Sequence, residues 1–252
     1  MTVILPGSTI GILGGGQLGR MMTLAARTLG YHVIVLDPDP HCAAGAVSDR
    51  VIAAPFDDVE AIVALARASD VVTVEIEKIG VGALEQAAGY APVRPGAHVL
   101  HTVQDRARQK DWLAAHGIPV GPYWTVRPQD ELLAAAREAG PDAFLNSSRG
   151  GYDGRGQARI PGVADAIDAW RSLGERPCVL VRALPLAREI SVLVARRPGG
   201  DAVVYTPAWN HHENGVLDWS VIPAPVSRDL ADRATALARR IAETLDVVGL
   251  LA

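Results

Sequence analysis

The chain has 252 residues, 49% of them hydrophobic and 21% charged, enough to bury a substantial core in one large domain or two ordinary ones. A net charge of -4 with no basic face or basic run interleaved with aromatics speaks against nucleic acid as a partner. The absence of a long apolar run or a basic-then-apolar N-terminus speaks against a membrane or secretory role and for a cytoplasmic one. With only Cys42 and Cys178 and no CxxC pair, neither a disulfide framework nor a cysteine zinc site is expected.

In chain order, Thr9 to Leu13 predicts a short buried strand, and Gln17 to Leu29 a helix with apolar spacing through Leu18, Met21, Met22, Ala25 and Leu29. A second strand, His32 to Leu36, closes at Asp37-Pro38-Asp39-Pro40, where the prolines enforce a loop. A strand at Val51 to Ala54, a helix at Val59 to Ala68, a strand at Val71 to Glu75 and a helix within Gly82 to Ala88 complete an alternation that implies a parallel sheet covered by helices. After a boundary near residue 100 comes a charged helix at 105–115, and then the order turns to that of an α+β domain. Strands at Pro122 to Val126 and Ala143 to Asn146 flank a helix at Gln129 to Ala139, and further strands are expected at Cys178 to Ala183, Ile190 to Arg196 and Val203 to Pro207. A long helix at 228–245 and an apolar strand at Val247 to Leu251 end the chain.

Two glycine clusters stand out. Gly14-Gly15-Gly16-Gln17-Leu18-Gly19 satisfies G-x-G-x-x-G between a strand and a helix, and Asp37 follows Gly19 by eighteen residues (37 minus 19). That is the form of a dinucleotide-binding turn, which admits an NAD-dependent oxidoreductase. It equally fits a phosphate cradle without nicotinamide, or a close-packed turn. The second cluster is denser: Gly150, Gly151, Gly154 and Gly156 interleave with Arg149, Asp153 and Arg155. Glycine lets main-chain N–H groups approach an anion, and arginine supplies forked donors suited to phosphate or carboxylate.

With Leu36-Asp37-Pro38, Gln104-Asp105-Arg106 with Lys110, Gly117-Ile118-Pro119-Val120, Gly150-Gly151-Tyr152-Asp153-Gly154-Arg155-Gly156-Gln157, Arg188-Glu189-Ile190-Ser191, Asn210-x-His212 and Gly215-Val216-Leu217-Asp218, the chain resembles the ATP-grasp N5-carboxyaminoimidazole ribonucleotide synthetases from about residue 8 onward. The resemblance implies an α/β Rossmann-like pre-ATP-grasp domain over 1–103 and an ATP-grasp domain over 104–252, with a lid subdomain at about 120–180. It implies ATP-dependent joining of bicarbonate to 5-aminoimidazole ribonucleotide in purine biosynthesis, in a homodimer. For the nucleotide it implies Arg106, Asn146, Gly151, Gly154, Gly156, Gln157, the segment Val181, Arg182 and Leu184, and then Glu189 and His212. For the ribonucleotide and the chemistry it implies Tyr152, Asp153 and Arg155, with Gly16, Gln17, Leu18 and Glu75 completing that pocket.

Three positions depart from the family pattern. Asn146 stands where a lysine is usual, Val181 (or, one register on, Arg182) where a glutamate is usual, and Trp209 where a glutamate precedes the Asn-x-His segment. The resemblance also places the magnesium ligands beyond Ala252. The expectation is therefore a chain with an incomplete ATP and metal site, or a noncatalytic binding or dimerisation remnant. His211 and His212 are expected to face opposite ways on a strand and to hold no metal.

Overall fold

The computed structural model describes residues 3–127, 129–150, 156–213 and 215–252, with the side chains of Gln129 and Asp130 excepted. The chain divides into two units. One comprises the residues up to His101 with Ala195–Asp201 and Leu245–Leu250; the other comprises Thr102–Val194, Ala202–Thr244 and Leu251–Ala252.

In the first unit β1 (Thr9–Leu13), α1 (Gln17–Thr28), β2 (His32–Asp37), β3 (Arg50–Ala53), α2 (Val59–Arg67), β4 (Val71–Val74), α3 (Val81–Ala87) and α4 (Ala97–Val103) follow in order. The four strands form a sheet in the order β3-β2-β1-β4, and its pairings are parallel. Alternation along β1 and β2 divides the apolar residues between two layers. Ile12, Val33 and Val35 pack with Ala26 of α1, whereas Leu13 and Leu36 join Ile62, Leu65, Ala83 and Leu84 of α2 and α3. Asp58 caps α2 by accepting from the Ala61 N–H at 3.0 Å, a contact whose loss typically costs about 1 kcal/mol. The two later segments are joined to each other by Arg196, whose guanidinium donates to Asp246 Oδ1 at 2.8 Å and to the Val247 carbonyl at 2.9 Å.

After the first unit's elements the chain continues with α5 (Arg106–Ala115), β5 (Tyr123–Val126), α6 (Gln129–Ala139), β6 (Ala143–Ser147), β7 (Gln157–Ile160), α7 (Ala166–Ser172), β8 (Cys178–Arg182), β9 (Glu189–Ser191), β10 (Val194–Arg196), β11 (Ala202–Val204), β12 (Ala208–Glu213), β13 (Val216–Val221), α8 (Arg228–Thr244) and β14 (Gly249–Leu251), all in the second unit except most of β10 and β14, which belong to the first. The sheet β5-β8-β6-β7 is antiparallel throughout. One face is sealed by Leu132, Ala135 and Ala136 of α6 and Ala166, Ala169 and Trp170 of α7, packed on Val126, Leu145, Ile160 and Leu180. Pairing puts Tyr123, Phe144 and Val181 in one row and Thr125, Asn146, Gln157 and Val179 in the next, all on the face away from those helices.

Several expectations change. The single strand expected from Ile190 to Arg196 is two, because β9 pairs with β12 while β10 belongs to another sheet. α4, β7, α7 and β13 were not foreseen, although a strand through His211 and His212 was. Among the described residues no helix is long and apolar enough to cross a membrane.

Candidate functional site

The first glycine turn is built around two carboxylates. Asp37, at the end of β2, accepts from the Gly15 N–H at 2.8 Å through one oxygen and from the Asp39 N–H at 2.9 Å through the other. Glu75, just past β4, lies against the same turn: a Cβ added to Gly14 would meet Glu75 Oε2 at 2.3 Å, and one added to Gly16 would meet Oε1 at 3.1 Å. Gly14 itself sits at φ +108°, where a side chain is strained. Burial, then the neighbouring Asp37 charge, raises the Glu75 pKa above the ordinary carboxylate value.

This geometry weighs against the dinucleotide reading. Asp37 already accepts from the Gly15 N–H and from the Asp39 N–H two residues on, and Glu75 puts a second carboxylate beside the turn where a pyrophosphate would have to approach. A ligand offering N–H or O–H donors suits the turn better. Gln17 and Leu18 follow on the exposed first turn of α1, so Gly16, Gln17, Leu18 and Glu75 are brought together.

In the second unit the start of the second glycine loop is tied to the start of α5. The Arg106 N–H donates to the Ser148 carbonyl at 2.8 Å. Asp105 caps α5 by accepting from the Ala107 and Arg108 N–H groups at 3.1 and 3.2 Å, and its other oxygen accepts from Arg149 Nε at 3.2 Å. Burial alone would raise the Asp105 pKa, but the Arg108 N–H bond and the Arg149 contact outweigh it and hold the carboxyl below its ordinary value. Gly156 and Gln157 resume beyond the loop. The Ser147 N–H donates to the Gly156 carbonyl at 2.8 Å, and Gln157 Nε2 donates to Asn146 Oδ1 at 2.9 Å. Gly151, Tyr152, Asp153, Gly154 and Arg155 lie outside the described residues.

Asn146, Gln157 and Val181 share the face of the sheet opposite α6 and α7. Arg182 does not: its guanidinium donates to the Ala139 and Glu138 carbonyls at 2.9 and 3.0 Å, capping the C-terminal end of α6 where a cation is favoured. Val181 is therefore the residue presented at that point, and Arg182 is engaged elsewhere. Leu184 is exposed, close to Gly121.

Glu189 and His212 form a further pair. β9 and β12 run antiparallel with Glu189 opposite Asn210, and His212 Nδ1 lies 3.3 Å from Glu189 Oε2. Trp209, at the position where glutamate is usual, points to the opposite face, edge-on to Trp219 with ring centroids 4.9 Å apart; His211 stacks on the same Trp219. The two histidines thus diverge, although the register shifts between them. Among the described residues no group of three or more His, Cys, Asp or Glu side chains stands together as metal ligands. Sequence reasoning assigned no role to Lys110 or Tyr123, which border the sheet face, although Lys110 stood a helical turn after Arg106 in the motif that carries the resemblance.

Residues 7–104 match the ribonucleotide synthetase preATP-grasp domain, and residues 111–252 match the ATP-grasp domain. The N5-carboxyaminoimidazole ribonucleotide synthase of Brucella melitensis is 39% identical over 252 residues, spanning 99% of this chain and 70% of that protein. The chain belongs to this family. It also superimposes on the Staphylococcus aureus N5-carboxyaminoimidazole synthetase complexed with ADP at a TM-score of 0.93 and 30% identity, covering 98% of this chain and 66% of that one. For the Aspergillus clavatus N5-carboxyaminoimidazole synthase complexed with ADP and 5-aminoimidazole ribonucleotide, the TM-score is 0.84 at 27% identity, covering 96% of this chain and 64% of that one. The chain thus spans about two thirds of the length of these relatives. Its family is one of ATP-grasp ligases that convert 5-aminoimidazole ribonucleotide to N5-carboxyaminoimidazole ribonucleotide in purine biosynthesis.

Proposed function

We propose that this chain binds ATP on the second unit and takes part in joining bicarbonate to the amino group of 5-aminoimidazole ribonucleotide. In that reaction a bicarbonate oxygen attacks the γ-phosphorus as the bond from that phosphorus to the β,γ-bridging oxygen breaks and ADP leaves. The substrate amine then attacks the carboxyphosphate carbon, its C–O bond to phosphate breaks, and the amine proton leaves with the phosphate or a nearby base. The protein's task is to gather negative charge, orient the amine and exclude water from a hydrolysable acyl phosphate.

The observation that carries this reading is the sheet face bearing Asn146, Gln157 and Val181, with Arg106 bonded to Ser148 and Gly156 to Ser147 beside it. Arg106 and the main chain of Gly151, Gly154 and Gly156 are assigned to the phosphates, Val181 and Leu184 to the base, and Glu189 with His212 to the ribose side. Tyr152, Asp153 and Arg155, and in the first unit Gly16, Gln17, Leu18 and Glu75, are assigned to the ribonucleotide. Residues 1–103 then serve as the pre-ATP-grasp domain and 104–252 as the ATP-grasp domain. Magnesium would accompany ATP and neutralise phosphate charge, but the described residues include no metal-ligand cluster, so none of them is assigned to it. Homodimeric assembly and cytoplasmic residence belong to the same proposal and rest on family membership alone.

The test is ADP release by the purified chain with magnesium, ATP and bicarbonate, with and without 5-aminoimidazole ribonucleotide. Release that depends on the ribonucleotide supports the proposal. ADP binding without any release would instead favour a nucleotide-binding role, for which the neutral Asn146 at the lysine position is the motivating feature.

A further inference from the structure

The 24 basic residues of this chain include only two lysines, Lys78 and Lys110; the other twenty-two (24 minus 2) are arginine. Lys78 is exposed, whereas Lys110 is partly buried, beside the sheet face described above. A compact ammonium differs from a guanidinium in needing little lateral room and in presenting its charge as a point.

The surroundings of Lys110 are specific. It follows Arg106 by one helical turn of α5, so the two cations share a helix face. Its Nζ lies 5.5 Å from the centroid of the Tyr123 ring. Tyr123 pairs with Val181 in the row adjoining Asn146 and Gln157, so Lys110 stands over the face that holds those residues. The Tyr123 hydroxyl donates to Asp111 Oδ1 at 2.7 Å, which fixes the ring and occupies an oxygen of the nearest carboxylate in sequence. Among the described residues no carboxylate forms an ion pair with Lys110. Burial, then repulsion from Arg106, lowers its pKa. A partly desolvated ammonium close to a second cation favours an anionic ligand.

We propose that Lys110 is a phosphate-binding residue of the nucleotide site, acting with Arg106 and held in place by the face of Tyr123. The proposal rests on the functional reading above, since it needs a nucleotide on this face. The ligand chemistry is an oligophosphate: a single ammonium and a guanidinium one turn apart suit two neighbouring phosphoryl groups.

Binding of ADP and of adenosine to the native chain and to Lys110→Met and Lys110→Arg, by calorimetry, tests it. Lys110→Met should weaken ADP binding about tenfold or more while leaving adenosine within about twofold, and Lys110→Arg should recover most of the loss. Equal loss for ADP and adenosine, or no loss for either, would overturn the assignment. Failure of the native chain to bind ADP at all would overturn the functional reading with it. A second measurement needs no variant. Acetic anhydride labelling followed by peptide mass spectrometry, with Lys78 as internal reference, should show Lys110 protected several-fold by ADP but not by adenosine; equal labelling with and without ADP would contradict the proposal.

Discussion

Gly14→Ala probes the first glycine turn where the structure is most exacting. The backbone at φ +108° is strained for any side chain, at about 1–3 kcal/mol. The new methyl would also stand 2.3 Å from Glu75 Oε2 and 3.2 Å from Ile76 Cγ2, so the partly buried Glu75 must shift, adding about 1 kcal/mol or more. Together these come to about 2–4 kcal/mol, a fall of about 1–2 M in the urea midpoint for an ordinary denaturant slope. Pairing the change with Glu75→Ala removes the clash but leaves the strained φ, so a double-mutant cycle should show a coupling of about 1 kcal/mol. Gly82→Ala, inside α3 with nothing within 4 Å of the added methyl, is the control and should stabilise by about 0.5–1 kcal/mol. If Gly14→Ala costs no more than that control, or if the cycle shows no coupling, the packing of Glu75 against the turn is wrong.

Other outcomes follow from the titratable groups. The Asp105 pKa is lowered on folding, so its charge stabilises the protein above the unfolded carboxyl pKa, and that gain is lost as pH falls through the folded value. Asp105→Asn, which keeps a capping oxygen, should be less stable than the native chain at neutral pH, and the gap should close in acid urea titrations. Glu75 has the opposite sign: its pKa is raised, so the native chain should lose stability as pH climbs from the unfolded carboxyl pKa through the folded one. Glu75→Gln should escape that loss, with its stability relative to the native chain rising across the same window; a falling difference would contradict the assignment. Burial pushes the Cys178 thiol up to about 11 and raises that of Cys42, so Ellman's reagent at pH 8 should label neither in the folded chain and both after unfolding.

Much of the first unit was legible because its signals are local. Strand period and helix period alternate cleanly from Thr9 to Val74, and the glycine turn falls between β1 and α1 as expected. The contact between Glu75 and Gly16 follows from topology, since β4 lies beside β1 and both end at the same edge. What stayed hidden depends on distant partners. Nothing local in the run from Glu189 to Arg196 reveals that β9 and β10 join different sheets, nor that residues 195–201 and 245–250 pack with the first unit. β7 is only four residues long and directly follows the glycine string, too short for alternation to register. α7 was readable in principle: Ala166, Ala169 and Trp170 show the i, i+3, i+4 spacing of a buried helical face.

Among the site residues, the resemblance assigned Asn146, Gln157, Val181, Glu189 and His212 to the nucleotide without placing them on elements; the structure puts the first three on one sheet face and Glu189 on the strand paired with the one that carries His212. It could not separate Val181 from Arg182, because that depends on pleat direction and on where α6 ends. It also could not reveal that Asp37 closes its own loop, since an aspartate at the end of a second strand reads alike whether it faces a ribose or a glycine N–H.

A crystal structure of the chain grown or soaked with ADP tests the central claim most directly. The account places the diphosphate within hydrogen-bond reach of Arg106 and Lys110, with the base on the face carrying Asn146 and Val181. ADP seated instead at the Gly14 to Gly19 turn, with Asp37 released from Gly15 to meet the ribose, would contradict it.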